Sequence, residues 1–250
     1  MAERSVIIHY HLFKNAGSSV DEILRHNFGE KWVEIEGPDN KKLKPEMMEE
    51  FIRNNPHIKA ISSHTAQITL PKISGVNIIP IFFFRHPIAR IRSAYEFERI
   101  QDEDTPGAKM AKSGDFAHYL SWRLAQPTMN TIINFHATRL KDFRKTTYNR
   151  DAHLFRQRSV NALKAMPVVG LVERFDESME KFAAIIRPHF PEFELLDVRA
   201  NSNSDPAKSL RDKLSQFEGE IGRETFVNLA QLNALDLELY YFVTEKLWAK

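Results

Sequence analysis

The residues best suited to chemistry lie at Lys14–Ser19, K-N-A-G-S-S. Lys14 supplies a full positive charge, Gly17 lets backbone come close, and Ser18 and Ser19 supply hydroxyl donors. Just before them, Val6–Ile8 is a short apolar run of strand composition. Just after them, Val20, Ile23, Leu24 and Phe28 recur at helical spacing. Strand, small-residue turn and helix make an anion-binding geometry, because free amide N–H groups at a helix N-terminus point at the anion and the dipole favours it. Ser18 or Ser19 is also a suitable helix cap. The order is not that of the Walker A motif, because here the lysine precedes the glycine. Taken alone, the stretch reads equally well as an ordinary helix start carrying a surface lysine.

A second stretch, Val76–Phe84, is almost continuously apolar, as befits a strand covered on both faces. Pro80 is a mild objection, since proline cannot donate to the ladder. The run ends in Arg85-His86-Pro87, and Pro87 suits the first turn of a helix that carries Ser93. In open α/β sheets, ligands bind at the carboxyl ends of strands. A guanidinium fork and a hydroxyl at that edge suit a second phosphate. A third strand, His57–Ile61, ends in Ser62-Ser63-His64-Thr65, which sets His64 on the same edge. An imidazole, with an ordinary pKa of about 6.5, is suited to general-base work near neutrality. The plain alternative is a loop histidine, one of ten in the chain, and His9, His11 and His86 are rivals near the same place.

The pattern K-x-x-G-[ST]-[ST] after a first strand, with R-x-P and a serine eight positions past the arginine, resembles the sulfotransferases that use 3′-phosphoadenosine 5′-phosphosulfate (PAPS). H-x-x-K-N-A-G-S-S at His11–Ser19 and F-R-H-P-x-x-R-x-x-S-A-Y at Phe84–Tyr95 are most similar to the carbohydrate and heparan-type, sulfotransfer 2-like, branch. V-G-L-V-E-R-F-D-E-S-M-E at Val169–Glu180 and D-L-E-L-Y at Asp236–Tyr240 resemble later segments of that branch, so the likeness spans nearly the whole chain. Ala16 departs from it, standing where many members carry glycine. The resemblance implies that Lys14, Asn15, Ala16, Gly17, Ser18 and Ser19 hold the 5′ side of PAPS and that Arg85 and Ser93 hold its 3′-phosphate. It also implies that His64 is the base and that Lys14 takes part in catalysis. It implies an acceptor hydroxyl, on a carbohydrate or small molecule, and no metal, since sulfuryl carries less charge than phosphoryl. The sequence offers no obvious metal cluster. Asn134 with Thr138-Arg139 is similar to the family's N-x-x-x-T-R, with cofactor, acceptor or packing as its role. Arg199, Asn201 and Lys208 are candidates for the 3′-phosphate by position only.

The chain has 250 residues, 42% hydrophobic and 27% charged, with a net charge of +2 and no cysteine. That is ordinary for one globular domain over 1–250 and excludes disulfides and thiol metal sites. The charge is too small for a nucleic-acid binder. No apolar run reaches the roughly 20 residues of a membrane span, and Met1-Ala2-Glu3-Arg4 does not open a signal peptide; because Golgi members of the resembled family are membrane-anchored, the resemblance then implies a cytoplasmic location. Strands alternating with longer helical segments predict a P-loop-type three-layer α/β fold, with a central parallel sheet of about four or five strands and helices on both faces. Residues 101–115 read as a surface loop, and Lys141–Arg158, the most basic segment, reads better as the solvated side of a helix than as an acceptor face. Two helices are expected to close the chain. The competing functions are a P-loop-type kinase, which lacks its lysine placement and a Walker B aspartate here, and a nucleotide-binding scaffold without catalysis.

Overall fold

The computed structural model describes residues 4–126, 131–140, 152–198 and 208–248. In chain order the elements begin with β1 (Arg4–Tyr10), α1 (Gly17–Phe28), β2 (Trp32–Glu34), α2 (Pro45–Asn54), β3 (Ala60–Ser63), β4 (Val76–Ile81) and β5 (Phe83–Phe84). Next come α3 (Pro87–Ile100), α4 (Pro106–Ser113), α5 (Phe116–Leu124), α6 (Phe135–Leu140), α7 (Ala152–Ala165), β6 (Gly170–Leu171) and α8 (Phe175–Ile186). The last are α9 (Leu210–Ile221), α10 (Arg223–Leu232) and α11 (Ala234–Phe242), with a π-helical turn over Val243–Leu247. The backbone divides into two compact units, one from the described residues within 1–84 and 139–201 and one from those within 85–138 and 202–250.

The first unit is built on a parallel sheet of order β2-β3-β1-β4 with helices around it, a P-loop-like α/β layout. Its side-chain register is strict. His9 stands opposite Ser62, and Ser62 opposite Glu34. One face buries Ile7 and Ile79 against Val20, Ile23 and Leu24 of α1 and against Met179, Phe182 and Ile186 of α8. Burial of this kind stabilises by roughly 1.5–3 kcal/mol per large side chain.

Val76–Phe84 is not one strand. Pro80 lies in β4, whose single ladder partner in that sheet is β1, so the missing N–H falls on an edge. The backbone breaks at Phe82, and Phe83–Phe84 then pairs in parallel with Gly170–Leu171. Only glycine fits at 170, because a Cβ there would lie 2.7 Å from the Phe83 ring.

The second unit packs α3, α4, α5 and α9 around Ile88, Ile91, Tyr95, Phe116, Tyr119 and Phe217. Residues 101–115 are corrected from loop to helix over Pro106–Ser113. Thr105 caps α4 by accepting the Ala108 N–H at 3.1 Å, and Pro106 opens it. Three helices rather than two close the chain, since Gly222, at φ 80°, separates α9 from α10. Among the described residues no helix is long and apolar enough to cross a membrane.

A buried ion pair ties α3 to α5. Arg123 donates to Glu98, with side chains 7% and 9% exposed, and also donates to the Tyr119 hydroxyl at 2.9 Å. Gly107 of α4 sits directly over the pair, where a Cβ would lie 2.3 Å from Glu98 Oε2. Arg123→Met strands the Glu98 carboxylate and should cost about 3–5 kcal/mol in urea denaturation, whereas the double change with Glu98→Leu should recover most of it.

Candidate active site

The loop between β1 and α1 is strained. Lys14 and Ala16 both adopt left-handed backbone, each at φ 62°. A non-glycine residue there costs roughly 1–2 kcal/mol, and such strain persists where function or packing fixes it. Asn15 donates its N–H to Leu12 O at 3.1 Å and is buried. The helix cap is Ala16, which has no side-chain acceptor, and the first turn of α1 carries no acid. Ser18 and Ser19 therefore lie inside the first turn and do not cap it, a correction to the expected role. A helix start with no side-chain cap and no acid in its first turn is an arrangement that suits an anion.

The left-handed geometry at 16 also explains why glycine suits this position. Ala16→Gly should leave stability within about 1 kcal/mol, strain relief offsetting the freedom glycine gains when unfolded. Ala16→Val should lose about 1–3 kcal/mol in thermal melts. Gly17 is needed for a different reason. A Cβ there would lie 1.9 Å from Cδ2 and 2.0 Å from Nε2 of His11.

Sheet register assembles the next layer. Cross-strand partners share a face, so His9, Ser62 and Glu34 form one row. Two residues further along each chain come His11, His64 and Glu36. Asp21 of α1 reaches into both rows. Its Oδ1 accepts from His9 Nδ1 at 2.8 Å and from the Ser62 hydroxyl, and its Oδ2 accepts from His11 Nδ1 at 2.7 Å. Trp32 Nε1 donates to Ser62 Oγ at 3.0 Å. Burial alone would raise the Asp21 carboxyl, but hydrogen bonds and charge from His11 and His9 hold it well below the usual carboxylate range. His9 is pushed down, chiefly by burial. Since an ionised Asp21 can only accept, the Nδ1 of each histidine carries the proton.

His64 stands just past β3, its side chain 47% exposed, with its ring centroid 3.9 Å from that of His11. Glu36 Oε1 accepts from the His64 N–H at 2.8 Å and from His64 Nδ1 at 3.0 Å. Glu36 Oε2 accepts from the Thr65 N–H at 2.8 Å and from the Thr65 hydroxyl. Burial raises the Glu36 carboxyl, yet these hydrogen bonds, Thr65 foremost, keep it below its ordinary value. A carboxylate on Nδ1 fixes the ring and leaves Nε2 as the nitrogen that can take a proton. The charge of Glu36 also acts on Arg139, whose burial lowers its pKa. The fold thus gathers His9, His11, Asp21, Glu34 and Glu36 around His64. The sequence showed these residues without showing that they meet. It offered one local signal, the i, i+2 pair His9 and His11.

In the second unit, Arg85 directly follows β5, and Ser93 lies in the middle of α3; both are partly buried. His86 caps α3 without a side-chain bond and is buried edge-on to Tyr240, with ring centroids 5.1 Å apart. Burial, then the Arg85 charge and His136, push its pKa down to about 4, which removes it as a rival base. A histidine held neutral in the fold is stable above its unfolded pKa of about 6.5 and loses that stability as pH falls from there toward 4. The loss should reach about 3 kcal/mol, and denaturation across this window should show about one proton less of pH dependence in His86→Phe.

The N-x-x-x-T-R segment proves to be structural at its first residue. Asn134, at φ 43°, donates its N–H to Asn233 Oδ1 at 3.0 Å and accepts the Asp236 N–H at 3.0 Å. Asp236 in turn caps α6, accepting the N–H of His136 at 2.9 Å, that of Ala137 at 2.8 Å, and His136 Nδ1 at 3.0 Å. That is the work done by the first residue of D-L-E-L-Y. Lys208 Nζ donates to Gln216 Oε1 at 3.2 Å. Arg199, Asn201 and most of the basic segment, 141–151, lie outside the described residues.

A protein of Archaeoglobus fulgidus, recorded as uncharacterized, is 38% identical over 250 residues, covering 97% of each chain. The model described as the sulfotransferase family matches residues 1–243, from the start of β1 into the last helical turn. With nearly its whole length matched, this chain belongs to the sulfotransferase family, of the sulfotransfer 2 type.

Proposed function

We propose that this sulfotransferase takes its sulfuryl group from PAPS and delivers it to a hydroxyl, with a carbohydrate as the acceptor class. The observation that carries the reading is the strained, uncapped Lys14–Ser19 loop opening α1 at the same sheet edge as a carboxylate-oriented, half-exposed His64. Lys14 and the amides of Asn15, Ala16, Gly17, Ser18 and Ser19 hold the 5′-phosphosulfate. Arg85 and Ser93 hold the 3′-phosphate, Arg85 through its fork. The acceptor oxygen attacks sulfur in line as the bond from sulfur to the bridging oxygen breaks. The acceptor proton passes to Nε2 of His64, and the electron pair leaves on the bridging oxygen of adenosine 3′,5′-bisphosphate. Lys14 stabilises that charge. Positioning and electrostatics supply most of such a rate enhancement.

Three observations favour His64 over His9, His11 and His86. His9 and His86 are buried and weakened as bases, and His11 is 9% exposed with its ring clamped between Asp21 and Gly17. The test is incubation with ³⁵S-labelled PAPS and a panel of oligosaccharides, simple sugars and phenols. Label should pass to a carbohydrate, with one equivalent of the bisphosphate released. Intact PAPS beside every acceptor, despite bisphosphate binding, would point to a scaffold instead.

A further inference from the structure

We propose that His11, Glu34 and His64 form a site for a divalent transition-metal ion of the zinc class at the carboxyl edge of the sheet. One ligand atom from each of these residues lies within 4.8 Å of the other two. They come from the ends of three neighbouring strands, β1, β2 and β3, whose hydrogen-bonded register holds them in place. Two imidazoles and one carboxylate, with the remaining positions open, form a donor set that suits zinc, and imidazole also suits copper, nickel and iron(II).

A second shell is already built. Asp21 Oδ2 holds His11 Nδ1 at 2.7 Å, which leaves Nε2 as that ring's donor, and at His64 Nδ1 Glu36 Oε1 stands 3.0 Å and Glu34 Oε1 3.5 Å away. Metal-ligating histidines are oriented by carboxylates in just this manner. The site is reachable, since the side chains of His64 and Glu34 are each 47% exposed. The neighbouring trio His9, His11 and Asp21 also falls within 4.8 Å, but both Asp21 oxygens are already engaged by the two rings and Ser62, and His9 is sealed from solvent. If His64 is the base, as the proposed function holds, occupation of this site withdraws its lone pair and stops transfer without touching the nucleotide.

The test uses the full chain after dialysis against EDTA. Cobalt(II) is titrated in and its visible d–d absorption read. One ion per chain should bind, and zinc should displace it. Glu34→Gln, an exposed change that keeps the fold, should weaken binding about tenfold or more, as should His64→Ala; His57→Ala, at an exposed histidine elsewhere, should not. No saturable band, or a band unchanged in Glu34→Gln, overturns the site. The band is read without substrate, so it stands or falls separately from the transferase reading. With zinc bound, calorimetric binding of adenosine 3′,5′-bisphosphate should be unchanged while turnover falls. Turnover unaffected by saturating zinc would overturn the inhibitory role.

Discussion

His64→Ala is expected to lower turnover by about 10²–10⁴-fold while leaving the affinity for adenosine 3′,5′-bisphosphate unchanged. The reasoning rests on orientation. Glu36 receives both the main-chain N–H and the Nδ1 of His64, at 2.8 Å and 3.0 Å, so backbone and ring are anchored to one carboxylate. Glu36 is itself held by Thr65, and so the ring is aimed before substrate arrives. On the proposed mechanism, removing the imidazole takes away the proton acceptor and leaves the groups assigned to the nucleotide in place. Steady-state kinetics beside calorimetry on the same preparation separates the two effects. Near-normal turnover would transfer the base role to His11, whose ring lies against that of His64.

Lys14→Ala is expected to cost about 10²–10³-fold in turnover, the scale of losing one preorganised charge stabiliser. The backbone explains why the lysine is well placed to act as one. Lys14 sits in left-handed conformation at φ 62°, two residues before a second such residue, in a turn closed by the Asn15 N–H to Leu12 O. The alanine variant keeps that strain, so the change removes the ammonium rather than the loop. Lys14→Arg should recover little, because a planar fork does not replace a compact charge at one oxygen. An effect confined to bisphosphate affinity would contradict the role at the bridging oxygen.

What the sequence disclosed was local. The alternation from apolar run to small-residue turn to 3.6-residue period marks β1, its loop and α1, because each signal falls within a few adjacent residues. The parallel α/β layout followed from the same periodicities. The rows His9–Ser62–Glu34 and His11–His64–Glu36 did not show, since they exist only once β2, β3 and β1 lie side by side in one register. Asp21 meets His9 and His11 only once α1 lies against that end of the sheet. The break at Phe82 depends on a partner almost ninety positions away in sequence, Gly170. In contrast, α4 was legible in principle: Thr105-Pro106 is an N-cap followed by proline at the first helical position, outweighed in the reading by its acidic, small-residue surroundings. The role of Asp236 as a cap for α6 required contacts across about a hundred residues.

The most direct test of the central claim is calorimetric titration of the EDTA-treated protein with adenosine 3′,5′-bisphosphate, beside ATP and with no magnesium. The account predicts micromolar, 1:1 binding of the bisphosphate, weakened in Arg85→Ala, with little heat from ATP. Tight ATP binding that requires magnesium, or no binding of the bisphosphate at all, would contradict it.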